Sequence, residues 1–419
     1  MNVSSPTELF DPDDCLYQPQ IFLEWKMIFV GMIGLITAVV SIFHNSLLFY
    51  TFTTSKVLKK RNLIYLRWIS GCDVFISVCY IAIMCVQVYT DFFESFSLLV
   101  LWHRYLRVAF TVSHITLSTS SFLLMAATIE RYLQSTADNR AFHLFKLLST
   151  HRGVVVLLCF LMSCIFRGTV LFEVEVVYNK YCTGLSSLGL ATLKLFSNPI
   201  VDVIWKFWMR KIVTVFLPFV VLASFNAAIV LNVRRTDRDQ TVKALVLFIT
   251  VGTRGEATRL RSRLRAVTRM LVMVVSCYLI ANILDVIIAF WETIDIESIT
   301  ERPGLYAVMA DISSFLPILA TALRLPIYAT NDKQIRKEVS RKFQSILSNL
   351  CYCKMKESKK CYEMELDSAG FLLHKQTESP ELEMNQRGVT TLIMARASIS
   401  NRELFDIKAF QEHHMFRDC

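Results

Sequence analysis

Charge is the scarce component of this 419-residue sequence: 19% of its residues are Asp, Glu, Lys or Arg, against about 25% in soluble domains. Apolar residues make up 54%, above the roughly 45–50% of soluble chains, and they fall in blocks. That excludes a soluble globular class and points to a polytopic helical membrane protein. Twelve cysteines are too few for a disulfide scaffold at this length. HExxH, a phosphate-binding loop and paired intramembrane catalytic acids are all missing, so no enzyme is expected and no cofactor or metal is implied. The opening residues, MNVSSPTELFDPDD, contain neither a basic region nor an apolar one. No cleaved signal peptide is therefore expected, and the first membrane helix serves as the signal anchor. A net charge of +10 would suit nucleic acid in a soluble protein. In a membrane protein the positive-inside bias accounts for it, and no nucleic-acid partner is expected.

Seven stretches are long and apolar enough to cross a bilayer: about 27–53, 62–87, 104–130, 153–175, 210–233, 266–290 and 304–329. The last contains Pro317 and Pro326, which membrane helices tolerate when neighbours satisfy the freed carbonyls. The loops set the orientation. Lys56, Lys59, Lys60 and Arg61 follow the first span; Arg131, Arg140, Lys146 and Arg152 follow the third; a run of ten basic residues from Arg234 to Arg269 follows the fifth. The alternate side is acidic, with Glu8, Asp11, Asp13, Asp14, Glu24, Asp91, Glu94, Asp295, Glu297 and Glu301. The amino terminus is therefore expected outside and the carboxyl terminus inside. Asn2 begins a glycosylation sequon on the outer side.

This reading divides the chain into an extracellular segment (1–26), a seven-span bundle (27–330), an amphipathic helix (331–349) and a disordered cytoplasmic tail (350–419). Ile335, Val339, Phe343 and Ile346 recur at helical spacing among basic residues, the pattern of a helix lying on an anionic leaflet. Cys351 and Cys353 just beyond are candidates for palmitoylation, or ordinary cytosolic thiols. Between the fourth and fifth spans, EVEVVYNKYC alternates apolar and polar residues and predicts a short hairpin. The apolar run 244–251 is too short to span; it could lie on the membrane, extend a helix, or be an artefact of the gene model.

Polar residues inside the spans carry the functional signal. The third span holds Thr111, Ser113, Thr116, Ser118, Thr119, Ser120 and Ser121, which suits a helix surrounded by other helices. It ends in Glu130-Arg131-Tyr132. Arg131 could snorkel, or could act as a latch that pairs with Glu130 in one state and a cytosolic partner in another. Asp73 lies mid-span in the second helix, with Asn45 of the first as a plausible hydrogen-bond partner; the pair reads as a sodium or proton site, or as a structural polar network. Asp285 and Asp311 near the outer ends of the last two spans, with Glu292, form an acidic mouth. Arg167 near the outer end of the fourth is a snorkelling residue or a ligand contact. Cys72, Cys79, Cys159, Cys164 and Cys277 fall in apolar blocks and read as packing, whereas Cys15 and Cys182 lie in polar segments and could be bridged.

Seven spans, an outer amino terminus, an acid in the second helix and Glu130-Arg131-Tyr132 closing a polar third helix together resemble a rhodopsin-like G-protein-coupled receptor over roughly 27–349. LPFVVLASFNAAI around Pro218 and Asn226, Trp102 in a short loop before the third span, and the amphipathic helix add to the likeness. The sixth span (TRMLVMVVSCYLIANILDVIIAFWE) and the end of the seventh (ALRLPIYATNDKQIRKEV) are similar to nematode receptors for FMRFamide-like and myosuppressin-like peptides. The resemblance implies an all-α membrane fold, a seven-transmembrane helix bundle with an amphipathic eighth helix, in the plasma membrane. It implies an extracellular amidated peptide as ligand and a heterotrimeric G protein as partner, with arrestin a further one. Arg131, flanked by Glu130 and Tyr132, would meet the G protein when the sixth helix swings out. Tyr328 would bridge helices in the active state. Asn45 and Asp73 would form the interior network. Tyr278 would lie beneath the ligand, with His114 beside it, and a ligand arginine would suit Asp285 or Asp311.

Three features depart from the family pattern. Its Cys-Trp-x-Pro stands as Cys277-Tyr278-Leu279-Ile280, and its Asn-Pro-x-x-Tyr as Arg324-Leu325-Pro326-Ile327-Tyr328. The cysteine at the outer start of the third span is replaced near Leu106, so the usual partner of Cys182 is missing; Cys15 or Cys85 could substitute, or Cys182 could be free. An amine receptor is disfavoured because Ser113 and His114 stand where an acid would be needed, and a retinal pigment because 304–329 contain no lysine. A nematode chemosensory receptor for a small molecule remains the alternative, since it shares fold and topology.

Overall fold

The computed structural model describes residues 20–61, 63–136, 139–178, 184–193, 200–201, 204–248, 256–294 and 296–348, with Cys15, Cys182 and Asn198; from 233 to 267 it describes backbone only. Asn2, Cys351, Cys353 and the tail lie outside the described residues.

Seven helices are long and apolar enough to cross a membrane: Leu23–Thr54, Ile64–Phe92, Phe96–Gln134, Arg152–Phe172, Trp208–Asn232, Thr268–Glu292 and Pro303–Asn331. The chain is a multi-pass helical membrane protein, and each helix overlaps its expected span. Each packs on the next, and the seventh returns to the first, closing a ring. The third helix runs through the middle and touches the second, fourth, fifth and sixth. Its hydroxyls explain how a polar helix is tolerated there. Thr119 and Thr128 donate to the carbonyls of Ile115 and Leu124 at 2.8 and 2.7 Å, so each hydroxyl is satisfied within its own helix and leaves a small, close-packing surface.

The third helix begins at Phe96, not near 104, so Trp102 stands inside it rather than in a loop. Arg104 and Arg107 had masked this turn by lowering its hydropathy. The reason for the extra length lies in the second helix, which loosens to π geometry over Ile81–Cys85. A π turn leaves carbonyls poorly used. Trp102 Nε1 donates to the Ile83 carbonyl at 3.0 Å and Tyr105 Oη to that of Ala82 at 2.8 Å. A matching π segment, Met27–Gly34, faces it from the first helix, where Tyr89 Oη reaches the Gly31 carbonyl at 2.5 Å. Gly34 lies so close under Tyr80 that a Cβ there would collide with the phenol oxygen.

The seventh helix is two helices, Pro303–Ala322 and Arg324–Asn331, joined at Leu323. Side chains of the first helix accept the break: Asn45 Nδ2 donates to the Thr321 carbonyl at 3.0 Å and His44 Nδ1 to that of Ala322 at 2.9 Å. Ser41 Oγ lies 2.9 Å from Thr321 Oγ1 and 2.7 Å from Ser77 Oγ, extending the layer to the second helix. Immediately beyond the break, Arg324 Nη1 meets Asp73 Oδ2 at 2.7 Å, with both side chains buried. Asn45 is thus not the partner of Asp73. Its amide nitrogen is committed to the carbonyls of Ser41 and Thr321, and an arginine from the altered motif takes the carboxylate.

A helix over 333–348 follows. Ile335 and Val339 are buried, and the Phe343 ring packs edge-on to Phe43 with centroids 6.0 Å apart, as the apolar spacing predicts. Asp332 caps it, accepting from the amides of Gln334 and Ile335 at 2.9 and 3.2 Å and from Arg61 Nη2 at 2.6 Å. The expected hairpin is present: Val174–Tyr178 pairs antiparallel with Leu188–Thr192. The fifth span's helix runs on to Phe248, so the first part of the apolar run at 244 extends a helix; 249–251 lie outside the described residues.

Two predictions follow from these contacts. Removing one member of a buried pair strands a charge, so Arg324→Ala is expected to cost about 3–5 kcal/mol, and Asp73→Asn with Arg324→Met distinctly less. Thermal unfolding of the purified protein reads both. At Asp332, burial alone would raise the carboxyl; the Arg61 guanidinium and the two amides outweigh it and hold it below the usual carboxylate range. Its contribution is therefore complete at neutral pH and is lost only as pH falls below about 3.9 through the lower folded value. Asp332→Ala should remove about 1 kcal/mol of capping at neutral pH and raise amide exchange over 333–348.

Candidate functional site: a cavity and two charged ends

The hairpin end of the bundle encloses a cavity of about 420 Å³, lined by residues of the second to seventh helices. Its floor is Tyr278, whose hydroxyl shares a 2.6 Å hydrogen bond with Ser121 Oγ of the central helix. Asn282, one turn on, donates to the Tyr278 carbonyl at 2.8 Å. His114 forms part of the wall, edge-on to Phe110 with centroids 4.5 Å apart. At the rim, Lys211 Nζ lies 2.5 Å from Glu292 Oε2, and Tyr306 Oη donates to the other oxygen of that carboxylate at 2.9 Å. Arg167 and Asp285 face the same space.

His114, Tyr278 and Asp285 are thus brought together around one cavity, as the sequence suggested. Asp311 is not. It lies behind the seventh helix, where it pairs with Lys26 of the first at 3.3 Å. The acidic mouth is therefore split: Asp285 and Glu292 face the cavity, and Asp311 staples two helices. Helical phase decides this. Asp311 sits one turn after Ala307, on the face turned to the first helix, and its spacing from Asp285 along the sequence says nothing about which side it presents. The Lys211–Glu292–Tyr306 cluster was not foreseen; its members stand at span ends, where charged residues are ordinarily read as solvated.

The hairpin is tethered at the cavity's edge. Cys15 and Cys182 form a disulfide with Cα atoms 5.2 Å apart, which selects one of the three possibilities for Cys182. Cys85 is buried and unbridged, its thiol 3.4 Å from the Val30 carbonyl. Arg210 Nη1 meets both oxygens of Glu173 at 2.7 and 2.8 Å, tying the first hairpin strand's root to the start of the fifth helix. Arg107 Nε donates to the Leu171 carbonyl.

At the opposite, basic end, Glu130 is buried and paired with Arg152 of the fourth helix, Nη2 to Oε1 at 2.5 Å and Nε to Oε2 at 3.0 Å. In this arrangement it makes no direct pair with Arg131, the contact that the latch reading places in one of its two states. Neighbouring residues on a helix point about 100° apart, so i,i+1 side chains do not face one another. Arg131 instead donates to Gln134 Oε1 at 2.7 Å, one turn on. The Tyr132 ring packs on Phe225 of the fifth helix with centroids 4.8 Å apart. Tyr328 is fully buried between the first helix and the Asp73–Arg324 layer, edge-on to Phe52 at 6.2 Å. Among the described residues, no cluster of His, Cys, Asp and Glu is arranged to hold a metal ion.

No family model matches this chain, and no curated protein matches it either.

The disulfide makes a direct prediction. Peptide mapping of the folded protein without reduction should recover residues 15 and 182 in one linked species, with Cys85 in a free-thiol peptide. A linked species containing 85 and 182 would contradict the geometry above.

Proposed function

We propose that this chain is a receptor of the rhodopsin-like class, set in the plasma membrane with its amino terminus outside. In this reading it binds an extracellular peptide of the FMRFamide-like kind in the cavity and activates a heterotrimeric G protein at the basic end, with arrestin as a further partner there. One observation carries the reading: a ligand-sized cavity at one end of the bundle, with Arg167, Lys211, Asp285 and Glu292 among its lining, and a basic end with a half-buried Arg131 and the exposed Lys56, Lys59 and Lys60 at the other, separated by a buried layer built on Asp73, Arg324 and Tyr328. Ligand pockets of about 300–1,000 Å³ are usual, so the volume suits a peptide terminus or a small molecule.

The chemistry of coupling follows from linkage. A ligand that bridges the third, fifth, sixth and seventh helices through Ser121–Tyr278 and the rim charges favours whichever helix arrangement makes those contacts best. The G protein does the same from the other side, and each raises the affinity of the other by the same factor. Arg131 is suited to the G-protein contact because its only hydrogen bond among the described residues is to the exposed Gln134, which is easily exchanged for another acceptor. A small-molecule chemosensory receptor is the second reading, favoured by the modest cavity.

The test is a calcium readout in cells that co-express the chain with a promiscuous G-protein α-subunit, challenged with amidated peptides. A dose-dependent response that Arg131→Ala reduces at least tenfold, at equal surface expression, is the expected outcome. Silence across the library with confirmed surface expression would sink the peptide reading and leave the small-molecule one.

A further inference from the structure

Four charged residues line the cavity: Arg167, Lys211, Asp285 and Glu292. Glu292 is held by Lys211 and Tyr306, and outside the lining Glu173 is held by Arg210. Two groups are left over. Arg167 makes no ion pair among the described residues, and its Nε is buried without a hydrogen-bond partner. Asp285 is exposed to the cavity and likewise makes no ion pair among the described residues. The acids whose fields reach Arg167 are Asp285 and Glu173, and Arg210 opposes them. One guanidinium and one carboxylate therefore line the same, largely apolar, cavity, neither neutralised by a direct contact among the described residues.

An unpaired buried charge is costly, and a fixed pair of opposite charges that do not touch is a template for a ligand that reaches both. A guanidinium matches a carboxylate in two parallel hydrogen bonds, whereas an amide offers it only one neutral oxygen. We propose that the cavity takes a dipolar ligand group, its carboxylate on Arg167 and its cation on Asp285. The ligand portion that enters is then zwitterionic: a short peptide end with a free acid beside a basic side chain, rather than an amidated end with a basic side chain alone. This rests on the cavity being the ligand site, and it departs from the amidated end read from the sequence by putting a free acid in its place.

Binding to the purified full-length chain in lipid nanodiscs tests it without any G protein, so a failure of signalling and a failure of this inference are separable. The probes are N-acetyl-Arg-Phe as the free acid, the same dipeptide as its amide, and the free acid with citrulline replacing arginine. Isothermal titration at millimolar ligand compares them. The free acid should bind at least about tenfold more tightly than either single-charge analogue, the loss expected for one charge-assisted hydrogen bond. Arg167→Gln should erase the preference for acid over amide, Arg167→Lys should restore part of it, and Asp285→Asn should erase the preference for arginine over citrulline. The proposal is overturned if the amide binds as well as the acid in the unmodified protein, if none of the three binds, or if either neutral variant keeps the preference it should lose. The comparison of ligands on the unmodified chain stands even if a variant fails to fold.

Discussion

The contact between Asp73 and Arg324 sets the terms for the bundle. A lone carboxylate at mid-membrane costs several kcal/mol, and so does a lone guanidinium. Here each makes the other tolerable, at 2.7 Å and out of reach of solvent. The pair can form only because the seventh helix breaks at Leu323 and turns Arg324 inward, and that break is tolerable because His44 and Asn45 bind the two carbonyls next to it. Ser41, Ser77 and Thr321 complete a polar layer joining the first, second and seventh helices. Specificity of packing in a membrane comes from such layers, since apolar side chains pack almost as well on lipid as on protein.

Two kinds of hydroxyl do different work around that layer. Thr111, Thr116, Thr119 and Thr128 of the central helix return their proton to a carbonyl one turn back, which makes them compact and neutral. Two serines reach across: Ser121 meets Tyr278, and Ser120 lies 3.5 Å from Arg324 Nη2. These cross-links join the floor of the cavity to the buried ion pair through neighbouring residues of one helix. The cavity floor and the buried ion pair thus rest on adjacent residues of the central helix.

The two ends of the bundle solve opposite problems. The hairpin end must hold an irregular loop beside the cavity, and it does so with a disulfide, the Glu173–Arg210 pair and the Arg107 contact to the Leu171 carbonyl. The basic end is left charged and exposed, apart from Glu130, which is buried and spent on holding the fourth helix to the third. Asp332 and Glu338 do the same for the helix over 333–348, against Arg61 and Ser55.

Sequence alone was enough for seven spans, the hairpin and the amphipathic helix, because lipid leaves the backbone few options and each element then carries its own periodicity. The same holds for residue types that must face inward: Asp73 could be placed in the interior by its cost in lipid, and Ser118 to Ser121 by the close packing that small hydroxyls allow. What sequence could not determine was pairing. Asp73 bonds Arg324 and not Asn45, Glu130 bonds Arg152 and not Arg131, Asp311 bonds Lys26 and leaves the cavity, and Cys182 bonds Cys15. Each depends on helix phase, on where a helix loosens or breaks, and on which neighbour that turns a side chain toward. Those are properties of several helices at once, so only the tertiary structure decides them.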